Sequence, residues 1–229
     1  MKRLFIVFAV LVEVLTSCEK EDGLKTIVQG DYPVKEYYLE RNPNTNPWGA
    51  AMDFIHHECT LTETDLDLLY LSPDTTNPYD IKLYTVKAYF TDENGDTQSE
   101  GCPAMLLGTG VSACKVGAGI AFFDSLTLVS ADMLVQLTTE PEVDYEACKN
   151  SSGNYVRELL YAAIDQCVIG RSFRTRVLDI PGDMTEQEVQ PVFLVKTAEG
   201  GYVKFMVKQF QGDPPREKQL LVRWQVIRE

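Results

Sequence analysis

Three runs near the end of the chain decide the fold: Pro191–Lys196 (PVFLVK), Tyr202–Phe210 (YVKFMVKQF) and Gln219–Ile227 (QLLVRWQVI). Between the first two stands Ala198-Glu199-Gly200-Gly201, which supplies glycines where a hairpin turn needs positive φ. Between the last two, Gly212, Pro214 and Pro215 fall where no central strand can continue. Within Tyr202–Phe210, Val203, Phe205 and Val207 share one face, opposite Tyr202, Lys204, Met206, Lys208 and Phe210. In the last run Leu220, Val222, Trp224 and Val226 share a face. Alternation with period two marks strands half buried against a core. The chain from Pro191 to Ile227 therefore reads as a three-stranded antiparallel meander.

Working back, the rest of the chain is also mostly β. Val34–Leu39 and Tyr79–Phe90 read as strands, and Asn94-Gly95 after the second is a strong hairpin signal. Gly101–Gly119 is glycine-rich and carries Pro103, so it reads as broken. Gly117–Phe123, Ser125–Val129, Leu134–Thr138 and Ser172–Leu178 read as further strands, and Pro181–Glu188 as a loop. Trp48–Cys59 fits either state, with Ala50, Ala51, Phe54 and Ile55 able to form one helical face. Leu61–Leu71 is equally ambiguous. Tyr155–Val168 differs: Val156, Leu159, Leu160, Ala163, Ile164 and Cys167 recur at helical spacing, with Asn154 to cap the start and Gly170 to end it. The fold class is mainly β: an antiparallel two-layer β domain with a C-terminal meander and one amphipathic helix.

The 229 residues carry a formal charge of −13 and a pI of about 4.6. Nucleic-acid phosphates want clustered Lys and Arg, so that class of partner is excluded. At the N-terminus, Met1-Lys2-Arg3 is basic and Leu4–Leu15 mostly apolar, with Glu13 inside the run; Leu15-Thr16-Ser17-Cys18 follows. This reads as a secretory signal over residues 1–17. The tetrapeptide resembles a bacterial lipobox with Cys18 as the lipidated residue; an ordinary signal peptide with a chance cysteine is the alternative. Residues 18–30 read as an acidic tether and 31–229 as one domain. On this reading the protein is lipid-anchored in the outer membrane, facing the cell exterior, and touches membrane only through the anchor.

With Cys18 lipidated, Cys59, Cys102, Cys114, Cys148 and Cys167 remain, an odd set. Cys102/Cys114 and Cys148/Cys167 each close a short loop and are the first pairs to test. With no Cys/His cluster, a structural zinc site is not indicated.

Catalytic motifs are lacking: there is no GxSxG, HExxH or phosphate loop. The reading is a non-enzyme. His56 and His57 are adjacent, so a strand would turn them to opposite faces and a helix would set them about 100° apart. Either could take a metal or haem; a surface histidine is the plainer reading. Asp65/Asp67 and Glu140/Glu142 have no partner that would make an acid/base couple. Asp92, Asn94 and Asp96 lack the twelve-residue Ca²⁺ pattern and read as a hairpin tip. Thioethers are soft ligands able to hold haem iron axially. Met133 and Met184 each follow an aspartate at a strand-to-loop junction, where a core methionine is less expected; packing remains the commoner role of methionine.

The stretch PVFLVKTAEGGYVKFMVKQFQGDP…LLVRWQVI resembles the end of the HmuY-like haem-binding lipoproteins. Tyr79-Asp80-Ile81-Lys82-Leu83, the turn at Asn94-Gly95, and Gly117-Ala118-Gly119 leading to Phe122–Asp132 resemble further family segments in the same order. Tyr79 stands where the family has Trp, and the Tyr155–Val168 helix and the cysteine segments look like insertions. The resemblance implies a lipoprotein that binds haem or a related porphyrin between β-layers, without chemistry of its own. It implies delivery of that ligand to a TonB-dependent outer-membrane receptor. The family ligates iron with two axial His or Met residues from loops of its second half. Met184 matches one such place and Met133 is the candidate for the other. The same fold without haem ligation, serving adhesion, glycan binding or complex formation, is the alternative.

Overall fold

A computed structural model of the chain describes residues 26–40, 50–61, 79–173, 190–210 and 219–229. Among them the strands are β1 (Ile27–Val28), β2 (Lys35–Glu40), β3 (Ala50–Asp53), β4 (Glu58–Leu61), β5 (Ile81–Thr91), β6 (Thr97–Leu107), β7 (Ser112–Ala118), β8 (Leu128–Val129), β9 (Thr138–Thr139), β10 (Pro191–Lys196), β11 (Tyr202–Phe210) and β12 (Gln219–Arg228). Three short helices complete it: α1 (Ile120–Ser125), α2 (Ala131–Leu134) and α3 (Arg157–Ile164), with a 3₁₀ turn at Glu146–Cys148.

The C-terminal meander forms as read, and it is the centre of a six-stranded sheet ordered β2-β12-β11-β10-β7-β9. Its first turn closes with Thr197 N–H donating to Gly201 O at 2.9 Å and Gly200 N–H to Thr197 O at 3.0 Å, with Gly200 at φ 93°. A second sheet, β4-β3-β5-β6, packs on it, and β1 pairs with β8 as a separate ribbon. Every pairing between these strands is antiparallel.

One expectation about the meander fails: its strands are covered on both faces. Phe193, Val195, Val203, Phe205, Val207, Val222, Trp224 and Val226 point inward, against Met52, Phe54, Ile81, Leu83, Met105 and Leu107 of the second sheet. The Phe54 ring lies 5.4 Å from both Phe205 and Trp224. Val192, Leu194, Lys204, Met206 and Ile227, on the outer face, are buried too. There β1, β8, α1 and α2 cover the sheet through Ile27, Val129, Phe123 and Leu126. On the far side, α3 covers Tyr84, Val86, Cys102, Ala104 and Leu106 of the second sheet with Leu160, Ala163 and Ile164. Two sheets thus carry an added layer on each outside.

Several local readings are corrected. Pro103 does not break the chain, because β6 runs from Thr97 to Leu107 through it. Among the described residues β6 is the last strand of its sheet. Two residues on, Met105 exchanges hydrogen bonds with Gly170 across the outer edge at 2.9 and 3.0 Å. Pro103 shares that parity, so its missing N–H faces outward, where a strand tolerates proline. Residues 120–125 and 131–134 are helical, not extended. Gly119, at φ 84°, starts α1, and the Ser130 hydroxyl accepts from Met133 N–H to start α2. Trp48–Cys59 resolves, within 50–59, as the hairpin β3–β4 with a turn over residues 54–57. Helix α3 is shorter than read, and its N-cap is Val156 rather than Asn154, whose N–H instead donates to the Asn150 carboxamide. Residues 27–28, read as tether, form a strand with Ile27 only 5% exposed. Of the segments read as ambiguous, strand or loop, residues 62–71, 174–178 and 181–188 lie outside the described residues.

Candidate functional site

Met133 is the one proposed ligand that the structure describes. It sits on α2, half buried, and packs into both outer clusters, among Ile27, Val129, Leu194, Phe123, Val192 and Met206. Its carbonyl accepts from the Cys114 thiol at 3.5 Å. The Met133 thioether therefore belongs to the layer between α2 and the outer face of the six-stranded sheet. Met206, on β11, joins the same cluster. Met184 and Cys18 lie outside the described residues, as does the side chain of Cys59. The chain stops being described at Phe173 and resumes at Gln190 on either side of Met184.

The space between the two sheets is filled. Trp224, Phe54, Phe205 and Met52 are each 0% exposed there, and sheets stacked about 10 Å apart leave a single layer of side chains.

Beside Met133 lies a buried lysine that sequence reading placed on a solvent face. Lys204 is 1% exposed. Its Nζ donates to Phe123 O at 2.8 Å and Leu126 O at 3.0 Å, at the C-terminal end of α1. The charge thus meets the carbonyl end of the helix, where a cation is favoured. Burial holds the Lys204 ammonium below the usual lysine range. Lys204 Nζ and the Arg223 guanidinium lie 4.9 and 5.0 Å from the Phe123 ring centroid, and Arg223 pairs with Asp124 at 2.8 Å. Glu36 on β2 pairs with Lys208 at 3.0 Å and Arg223 at 3.6 Å. Two cations thus flank an aromatic ring in the cluster that Met206 and Met133 join. The nearest sequence signal was the Tyr-x-Lys of β11, but burial of Lys204 depends on α1, which reads as a strand.

The other unusual ionisable group is Asp80, 3% exposed at the start of β5. Its carboxylate accepts from Phe54 N–H at 2.8 Å. Burial pushes it up to about 7, and the charges of Glu199 and Asp53 add to the rise. His56 is exposed and its Nδ1 lies 2.7 Å from Asp53 Oδ2. The hydrogen bond and charge of Asp53 hold its imidazolium above the usual histidine range. Next to it His57 has φ 59°, rare for a residue with a Cβ, and its buried Nδ1 has no hydrogen-bond partner. The two histidines share one turn, yet one ring is paired with a carboxylate and the other is not.

The described cysteines are thiols. Cys102 packs on the outer face of the four-stranded sheet and Cys114 on the outer face of the six-stranded one. The whole inter-sheet core separates them, which is beyond disulfide reach. Cys148 and Cys167 do share a cluster, with Tyr145 OH 3.2 Å from Cys167 Sγ. Burial raises the Cys167 thiol to about 12 and Cys114 to about 11, so neither is a ready thiolate. Among the described residues there is no group of three His, Cys, Asp or Glu able to hold a metal. An open cleft of about 470 Å³ runs between the β5–β6 tip and Arg157, whose guanidinium stacks 3.8 Å over Phe90. The Asp92 carboxylate in its wall is already taken by the Asn94 and Asp96 amides and Gln98.

No family model matches the chain, and no curated protein does. Solved structures align with it over most of its length at low identity. One, described as an HmuY-like heme-binding protein from Bacteroides vulgatus, is 12% identical with a TM-score of 0.40, covering 86% of this chain and 95% of that one. An apo HmuY analogue from Tannerella forsythia is 10% identical with a TM-score of 0.39, covering 91% and 100%. Apo PinO from Porphyromonas gingivitis is 10% identical with a TM-score of 0.31, covering 86% and 98%.

Proposed function

We propose that this is a cell-surface lipoprotein that binds haem or a similar porphyrin without catalysis and hands it to an outer-membrane uptake receptor. The observation that carries the reading is the Pro191–Ile227 stretch, whose sequence resembles the end of HmuY-like haem-binding lipoproteins. The lipobox ending at Cys18 supports it further. Met184 and Met133 are the candidate axial ligands, and Cys18 the lipidated residue. The protein's work would be to bury a porphyrin against apolar side chains and present soft ligands to its iron. Titration of the purified protein with hemin should give a shifted Soret band that Met184→Ala weakens. No spectral change in either oxidation state overturns the reading.

One observation favours the alternative, a surface binding module of the same fold without haem ligation. The Met133 thioether is packed against the sheet, among Val192, Phe123 and Met206, rather than set in a cleft. On that reading Met133→Ala leaves any hemin response unchanged and hemin itself binds no better than to an unrelated acidic protein.

A further inference from the structure

The two outer layers of the molecule differ in charge. The layer over the six-stranded sheet, with the β9 edge beside it, is made of residues 26–30 and 125–139, which hold β1, β8, α2 and β9. Residues 26–30 carry no charged side chain, and residues 125–139 carry one, Asp132. On the far side, the layer over the four-stranded sheet runs from Glu140 to Asp165 and carries eight, six of them acidic. In a chain of net charge −13, a face this neutral departs from the rest of the surface. It is also apolar at its centre. The β1–β8 ribbon turns Ile27 and Val129 inward and Val28 and Leu128 outward, as a directly opposed pair. Val28 is 68% exposed and Leu128 47%, and Val135, just after α2, is 67% exposed. The exposed neighbours along the chain are hydroxyls and an amide: Ser125, Thr127, Gln136 and Thr138.

The start of the described chain is fixed on this face. Ile27 is buried with Val129, Leu194 and Ile227. Gln29 N–H donates to Thr127 O at 2.9 Å, and Gly30 N–H to Ile227 O at 2.8 Å. Ile27 follows Cys18 by nine residues, which even fully extended span no more than about 30 Å. Resting on the reading of Cys18 as the acylated residue, we propose that the Val28–Leu128 face lies against the bilayer that holds the protein's own anchor, with the acidic α3 layer turned away from it. A charge-poor face loses little hydration when it meets lipid. Carboxylates in its place would be costly to desolvate and repelled by lipid phosphates. Three apolar side chains make a patch too small to hold a free protein to a membrane. Once acyl chains keep the domain at the surface, the contact is intramolecular and a weak patch suffices.

The test uses the full chain, acylated, in vesicles of dibrominated phosphatidylcholine, whose bromines quench tryptophan among the acyl chains. Leu128→Trp and Leu159→Trp put a tryptophan at sites of nearly equal exposure, 47% and 49%, on opposite layers. The unaltered protein supplies the reference emission of Trp48 and Trp224. Relative to unbrominated vesicles, the emission added at residue 128 should fall by about a third or more, as for a group at the headgroup–acyl boundary, and the emission added at residue 159 should not change. Val28→Trp, on the paired strand, should repeat the result and decides the matter if Leu128→Trp does not fold. Mass spectrometry of the Cys18 peptide is run on the same preparations. Acyl chains on Cys18 with quenching equal at both layers, or absent from both, overturn the docking face and leave the anchor standing. A Cys18 without acyl chains overturns both.

Discussion

The two faces of the six-stranded sheet are both covered, the outer one less completely, and they are built by different means. The inner face meets another sheet. Its buried strand residues are all apolar, and the largest, Trp224, Phe205 and Phe193, are at most 2% exposed. The outer face meets fragments: a two-residue strand, helices of six and four residues, and a lysine bonded to carbonyls. Inner-face burial rests on area and ring packing. Outer-face burial depends on a few specific polar contacts, each of which costs free energy if it is left half made. The difference explains why one face reads plainly in the sequence and the other does not.

The comparison can be broken at its strongest point. Trp224→Ala removes the largest inner side chain and should cost about 3–5 kcal/mol in urea unfolding. A cost under about 1 kcal/mol would mean that the inner face is not the main source of stability. Gly117→Ala tests how closely the outer layer sits, because a Cβ there would lie 2.3 Å from the Phe122 ring. It should cost about 2 kcal/mol through displaced packing, with a matching change in near-ultraviolet dichroism. Lys204→Met keeps the stem but deserts the Phe123 and Leu126 carbonyls, for roughly 1–2 kcal/mol at pH 7. Since burial lowers the folded value of Lys204 below 10.5, the unfolded chain binds more protons on approach to that pH. Wild type should therefore recover stability there, relative to Lys204→Met, in unfolding measured from pH 8 to 10.5. Met133→Ala should have the smallest effect, about 1 kcal/mol, because the side chain is only half buried.

How much was legible follows the same division. The meander, the Asn94-Gly95 hairpin and the Tyr155–Val168 helix are long enough for period and turn chemistry to speak. The outer face is not. Helices of four and six residues span too little chain to show a 3.6-residue repeat. Lys204 and Met206, opposite the Val203, Phe205 and Val207 face, looked like a solvent face because nothing local announces α1. Pro103 misled because proline rules out a central strand, whereas β6 is at the edge. The Cys102/Cys114 pairing failed for a related reason: short sequence loops say nothing about which side of which sheet each thiol joins. Met133 was singled out by residue type, but its packing near Cys114 and Met206 needs the register of β7, β10 and β11. Asp80 was invisible as a buried acid, since its partners come from β3, the turn after it and the end of β6, whose pairing with β5 the sequence does not announce.

The order of strands in the six-stranded sheet has a consequence in time. Its centre, β10–β12, is made after every other described strand, and β12 is what joins β2 to β11. A chain still lacking the residues after Lys218 holds β2 without its partner and the inner face without Trp224. Non-local pairing of this kind is slow and leaves unpaired edges exposed meanwhile. The sheet therefore stays unfinished until those residues have been made, and the unpaired edge of β2 is open to proteases until then.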